Sequence, residues 1–171
     1  MFYIVAVTLI IVLLLLLSAV WPPDSPWSPW WKTYKAAGRA AIKLASINSK
    51  DKVYELGSGD GEFLLLVSKE VGAKCVGIEI DPLRDFIAKT RSRFSNNKNK
   101  VTFKKKSFYD EDLTSASVIY MYLIPRVLKK ITPKLKKELK RGTRVISYRY
   151  TIPDLKLIKE DKKEKLFLYK I

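Results

Sequence analysis

The chain has 171 residues, 47% hydrophobic and 29% charged, a balance that fits a folded globular domain and not a disordered one. It has no histidine and a single cysteine, Cys75. That excludes Ser-His-Asp and Cys-His catalysis, an internal disulfide, a clustered zinc site and any histidine-ligated metal, and leaves carboxylates, hydroxyls, lysines, backbone groups or a cofactor.

Residues 2–20 carry no charge. As a helix, about 20 residues rise roughly 30 Å, enough for a hydrocarbon core. A cleaved signal peptide is the alternative, with Leu17-Ser18-Ala19-Val20 as a weak cleavage point, but no cation precedes the apolar run. Lys32, Lys35, Arg39 and Lys43 all follow it. The positive-inside rule then predicts a retained single-pass anchor over residues 1–21, with the N-terminus outside and the rest cytoplasmic. Residues 22–32 form a Pro- and Trp-rich linker. Its tryptophans suit a headgroup layer, either as a plain interfacial belt or also as a cover for an active site.

The remaining residues, 33–171, form one domain of common size. Alanines and Leu44 at helical spacing predict a helix over 33–47, capped by Thr33. Residues 53–56 read as a buried strand that runs into Gly57-Ser58-Gly59-Asp60-Gly61, followed by a helix to about residue 71. A strand over 75–80 leads to a helix opened by Pro82. Further strands are predicted over 101–108, 117–124 and 144–150, with a helix over 126–140 that restarts at Thr132-Pro133. Residues 156–160 and 164–170 form a terminal hairpin. Alternating strands and helices predict an α/β fold with a mostly parallel sheet and a C-terminal antiparallel hairpin, binding its ligand at the carboxyl ends of the strands.

The net charge of +16 admits attraction to nucleic acid, attraction to anionic lipid, or a lysine-rich surface. Lys129, Lys130, Lys134, Lys136, Lys137 and Lys140 read first as a solvated helix face.

The chemistry lies in the glycine loop. It leaves a strand and opens a helix, so its backbone can turn tightly against a ligand and its amides can meet an anion. Glu55 precedes it by two residues, and Glu79 ends the next strand, 20 residues after Gly59. A carboxylate at that place can accept from both hydroxyls of a ribose. A nicotinamide site is the rival, but its fingerprint needs a glycine at position 62, where Glu stands. A plain strand–turn–helix would need neither three glycines nor both acids.

Glu55-Leu56-Gly57-Ser58-Gly59-Asp60-Gly61 and Gly77-Ile78-Glu79-Ile80-Asp81-Pro82 resemble the first and second motifs of the class I S-adenosylmethionine-dependent methyltransferases, over about residues 45–150. With Pro29-Trp30-Trp31 and Tyr120-Met121-Tyr122-Leu123-Ile124-Pro125, the chain is similar to the small membrane-anchored protein-lysine methyltransferases. That family acts on the adenine nucleotide carrier and the c-subunit of ATP synthase, and it has prokaryotic relatives. The resemblance implies a Rossmann-like class I fold and S-adenosyl-L-methionine as cofactor. Glu55, Gly57, Ser58, Gly59, Asp60 and Gly61 would hold its methionine part, and Glu79 with Ile80 its ribose. Ser107 and Phe108 fall where relatives offer an acid to the adenine, and serine is a weaker acceptor. Pro29, Trp30, Trp31 and Thr33 fall at a substrate-side stretch, where Pro29 and Thr33 match. Tyr122 is the first candidate for orienting the substrate amine and Pro125 with nearby carbonyls the second, whereas Tyr120 reads as packing.

The expected function is transfer of methyl groups to a lysine near a membrane surface, without metal. The alternatives are an RNA methyltransferase, which the charge favours and the Tyr-Leu-Ile-Pro at strand four disfavours, and a non-catalytic cofactor-binding membrane protein, which the intact glycines and Glu79 disfavour.

Overall fold

The computed structural model describes residues 2–20, the last three by their backbone, and residues 31–171. It divides into two compact units, residues 1–31 and 32–171. The first holds helix α1 (Phe2–Val20), whose Thr8 hydroxyl donates to the Ile4 carbonyl at 2.9 Å. Among the described residues no helix is long and apolar enough to cross a membrane. This corrects the sequence expectation of a single-pass membrane protein with its N-terminus outside and its domain in the cytoplasm. Residues 22–30 of the expected linker lie outside the described residues.

The second unit alternates helix and strand: α2 (Lys35–Leu44), β1 (Lys52–Leu56), α3 (Glu62–Val71), β2 (Lys74–Glu79), α4 (Pro82–Arg93), β3 (Val101–Lys105), β4 (Val118–Met121), α5 (Pro125–Glu138), β5 (Arg144–Tyr148), β6 (Leu157–Asp161) and β7 (Leu166–Lys170). The strands form one sheet in the order β3-β2-β1-β4-β5-β7-β6. Strands β1 to β5 pair in parallel, and β7 runs antiparallel to both β5 and β6. The order reverses between β1 and β4, the crevice where such sheets bind ligands.

Period-two alternation sorts the strand side chains onto two cores. Val53, Val118 and Tyr120 pack with Ala37, Ala41, Phe63, Leu64 and Val67 of α2 and α3 on one face. Tyr54, Leu56, Ile119 and Met121 pack with Leu128, Ile131 and Leu135 of α5 on the other. With both faces covered, the central strands are buried almost throughout, and β4 has no exposed residue. Pro82 sits in the first turn of α4, and the Asp81 side chain caps it by accepting from the Arg84 amide at 2.8 Å.

Three local expectations change. Helix α2 starts at Lys35 with Tyr34 at its cap position, because the Thr33 hydroxyl is turned inward to Tyr120 instead. Helix α5 runs through Pro133 without restarting: Thr132 donates back to the Leu128 carbonyl at 2.7 Å, the side-chain bond of a helix interior and not of a cap. Strands β3 and β4 end earlier than expected, and residues Phe108–Asp110 form a 3-10 turn capped by Ser107.

Candidate active site

The carboxyl ends of β1 and β2 carry the glycine loop and its two acids. Gly57, Gly59 and Gly61 have φ of 77°, 53° and 76°, the left-handed region that L side chains rarely adopt. At Gly61 the constraint is also steric, since a Cβ there would lie 2.4 Å from the Phe103 ring. Gly77, inside β2, would meet the same ring at 2.5 Å and the Ser58 hydroxyl at 2.7 Å. Phe103 therefore forms a floor that the loop crosses at close range. The Gly57 and Ser58 amides both donate to the Ile78 carbonyl, at 2.9 and 3.0 Å, which binds the loop to β2.

Glu79 ends β2 and is buried. One of its oxygens accepts from the Gly59 amide at 2.8 Å, and the other from the Ile80 and Asp81 amides at 3.0 Å each. Burial pushes its carboxyl above the ordinary range, while the Asp81 and Gly59 amides and nearby Arg84 pull it back. Three of a carboxylate's roughly four lone-pair sites are thus engaged, so a diol arriving here shares or displaces the Gly59 bond.

Glu55 is different. It is 5% exposed, and its Oε2 has no hydrogen-bond partner. Burial, followed by repulsion from Asp60 and Glu79, holds its carboxyl well above the ordinary range. An unpartnered buried acid is costly unless a ligand completes it. A cationic amino group meets that need, and the methionine end of S-adenosylmethionine carries one. The residues present therefore fit the cofactor. Ser58, whose buried hydroxyl is also without a partner, lies in the same loop.

Asp60 faces the cations of two other elements: Lys32 Nζ at 2.9 Å and Arg91 of α4 at 2.8 Å, with Arg91 also paired to Glu62. This network ties the loop to α4 and to the segment before α2. Thr33 is buried, and its hydroxyl lies 3.0 Å from that of Tyr120. Tyr120 is fully buried and stacks on Phe63 with centroids 3.8 Å apart. Burial raises its phenol well above the ordinary value, and the Thr33 bond offsets part of that.

Tyr122, just past β4, is half-buried and meets the Tyr148 ring edge-on at 4.6 Å. Burial raises its phenol, and Arg149 opposes the rise. Pro125 is exposed and opens α5, a place that suits proline because the missing N–H needs no partner there. Ser107 caps the turn after β3, its hydroxyl accepting from the Tyr109 amide at 3.2 Å, and Phe108 packs on Tyr109. The adjoining Lys106 amide donates to the Glu79 carbonyl at 3.0 Å, which brings this turn beside the end of β2. Trp31 is exposed, and Pro29 and Trp30 lie outside the described residues.

The structure thus gathers Glu55, the loop, Glu79, Ile80 and Ser107 along the ends of β1 to β3, and Tyr122 past β4. Sequence reasoning missed the bond from Thr33 to Tyr120, the ion network around Asp60, and Tyr148 with Arg149. It also missed Phe103, for which Gly77 was the available signal: glycine inside a strand marks a close approach.

The family model described as the ANTKMT methyltransferase domain matches residues 55–159. A protein-lysine N-methyltransferase of Saccharolobus islandicus (strain REY15A) is 33% identical over 128 residues, covering 74% of this chain and 80% of its own. The adenine nucleotide translocase lysine N-methyltransferase of Mus musculus is 29% identical over 103 residues, of which the match covers 44% of its length. Among solved structures, an RNA methyltransferase from Salinibacter ruber in complex with S-adenosyl-L-homocysteine matches with a TM-score of 0.78 and 29% identity, over 82% of this chain and 92% of that one.

Proposed function

The chain belongs to the ANTKMT methyltransferase domain family, and from that premise we propose that it transfers the methyl group of S-adenosylmethionine to the side-chain amine of a protein lysine. That it is an S-adenosylmethionine-dependent methyltransferase follows from the family and from the solved relative with the demethylated cofactor. The lysine acceptor is supported by the name of the Saccharolobus relative. The observation that carries the site is the pairing of Glu55, unpartnered and buried, with the left-handed glycine loop and Glu79.

The cofactor supplies a methyl group that is already activated, so the chain has mainly to bind, align and desolvate. In this reading Glu55 and the loop from Gly57 to Gly61 take the amino acid end, Glu79 and Ile80 the ribose, and Ser107 with Phe108 the adenine. Lysine reacts as the neutral amine, whose reference pKa is about 10.4. Tyr122 is the group we assign to orient it, supported by its half-buried place past β4; Pro125 and the carbonyls beside it are the second choice. Thr33 contributes by its hydrogen bond to Tyr120, and Pro29, Trp30 and Trp31, which precede it in the sequence, are assigned to the substrate.

The finer reading of the acceptor is a lysine of a membrane or membrane-associated protein. It is supported by the mouse relative, named for adenine nucleotide translocase, and by the charge of +16, which attracts anionic surfaces. A second reading, methylation of RNA, is favoured by the name of the Salinibacter relative and the same charge.

One experiment separates them. Purified full-length chain is incubated with methyl-labelled cofactor and total cell extract, which is then split into soluble protein, membrane protein, RNA and lipid. Label in protein is the expected result, enriched in the membrane fraction on the finer reading. Label confined to RNA overturns the lysine assignment.

A further inference from the structure

Strands β4 and β5 are neighbours, with Met121 beside Ser147, so the residues that follow them leave the sheet side by side. Tyr122 and Tyr148 meet there edge to face. The next residue, Arg149, has φ of 68°. Left-handed backbone is costly for a residue with a Cβ, and sites that hold it often use it. Here the Arg149 amide is fixed by donating to the Lys165 carbonyl at 2.7 Å. The guanidinium lies 5.5 Å from the Tyr148 ring centroid and 5.8 Å from that of Tyr122. Cations are attracted to the faces of such rings. The fold therefore stations a permanent positive charge against the tyrosines.

Among the described residues no carboxylate forms an ion pair with Arg149. Tyr34, ahead of α2, and Tyr150, after Arg149, also act on Tyr122. Lys165, across the turn, supplies only its carbonyl to the Arg149 amide.

We propose that Arg149 tunes the substrate: its guanidinium, seated against Tyr122 and Tyr148, repels the proton of an arriving lysine ammonium and so raises the fraction present as the nucleophilic neutral amine. The inference rests on the lysine reading above. The ammonium gives its proton to water. The freed nitrogen lone pair then forms the N–CH3 bond as the S–CH3 bond breaks, and that bonding pair stays on sulfur. Arg149 is exposed and solvent screens its field, so a like charge at such a place lowers an amine pKa by about half a unit. Arg149 touches no reacting atom, so it acts as a positioning residue, through its field.

The test compares full-length wild type with Arg149→Gln, Arg149→Lys and Arg149→Gly, the last suited to the left-handed backbone. Initial rates of labelled methyl transfer to total cell protein are taken at saturating cofactor from about pH 6 to about pH 10. In Arg149→Gln and Arg149→Gly the rising limb should move about half a unit toward alkali, an about threefold loss at neutral pH that vanishes at high pH. Arg149→Lys should restore the wild-type limb. A second readout needs neither cofactor nor substrate: carbon-13 NMR titration of the Tyr122 phenol, which should move to higher pH in Arg149→Gln. Superimposable limbs, a loss equal at every pH, a raised KM with an unmoved limb, or an unchanged Tyr122 titration each overturn the inference. Wild type that labels no lysine overturns the lysine reading, and this inference with it; lysine labelling with an unmoved limb overturns this inference alone.

Discussion

Glu55→Gln should make the cofactor-free protein more stable at neutral pH while weakening its cofactor. Burial and the neighbouring acids raise the folded-state pKa of Glu55 above its unfolded value. The unfolded chain therefore releases this proton first as pH rises. Between the ordinary carboxylate range and the raised folded value, folding loses up to about 1.4 kcal/mol per pH unit from this one group. The penalty is absent at acid pH and largest on the alkaline side of that window. Glutamine cannot ionise, so it removes this slope, although Glu79, raised in the same direction, leaves a residual one. The buried carboxamide is still a polar group, so the gain is that of the removed proton linkage, about 1–3 kcal/mol at neutral pH for one to two pH units of that slope. For the 32–171 unit that corresponds to a Tm higher by very roughly 3–10 °C. The same substitution removes the charge offered to the ligand's amino group, worth about 1.5–3 kcal/mol, or roughly 10- to 150-fold in Kd. Thermal melts across the pH range, with and without cofactor, read both effects. A variant with the wild-type pH slope, a lower Tm and unchanged affinity would refute the reasoning.

Glu79→Ala should weaken cofactor binding in calorimetry by a similar factor, and it also leaves the Gly59, Ile80 and Asp81 amides without their acceptor. NAD should show no binding in the same cell. Gly61→Ala should abolish cofactor binding, because its methyl group meets the Phe103 ring and its φ of 76° resists any side chain; measured by calorimetry, normal affinity would contradict this. Thr33→Val should cost about 1–3 kcal/mol in chemical denaturation by leaving the buried Tyr120 hydroxyl without its partner. Valine at Tyr120's bond partner with unaltered stability would show that the bond is replaced by water.

Much of the parallel sheet was legible in the sequence, because its strands are buried on both faces and read as short apolar runs such as Val118–Met121 between turn signals. The glycine loop was legible for a sharper reason: three left-handed positions in five residues admit little besides glycine. Element ends were less legible. Thr33 has the composition of a cap, yet a hydrogen-bond partner 87 residues away takes its hydroxyl. Thr132-Pro133 has the look of a helix start, yet Ile131, Thr132 and Leu135 are buried with α5 against the sheet, and packing carries the helix across the proline. The apolar run at residues 2–20 illustrates a different limit. Composition alone predicted a membrane span, whereas among the described residues no helix is long and apolar enough for one. Arg149 was invisible because its importance lies in a backbone angle and in two rings brought together by strand pairing.

The central claim, that this chain methylates lysine at the Glu55–Glu79 site, is tested most directly by amino acid analysis of the acceptor. Total cell protein is incubated with methyl-labelled S-adenosylmethionine and either wild type or the Glu55→Gln, Glu79→Ala double variant, then hydrolysed to single residues. The account predicts label in methyllysine with wild type and its near-complete loss with the double variant. Label in another amino acid, or methyllysine formed equally by both proteins, would contradict it.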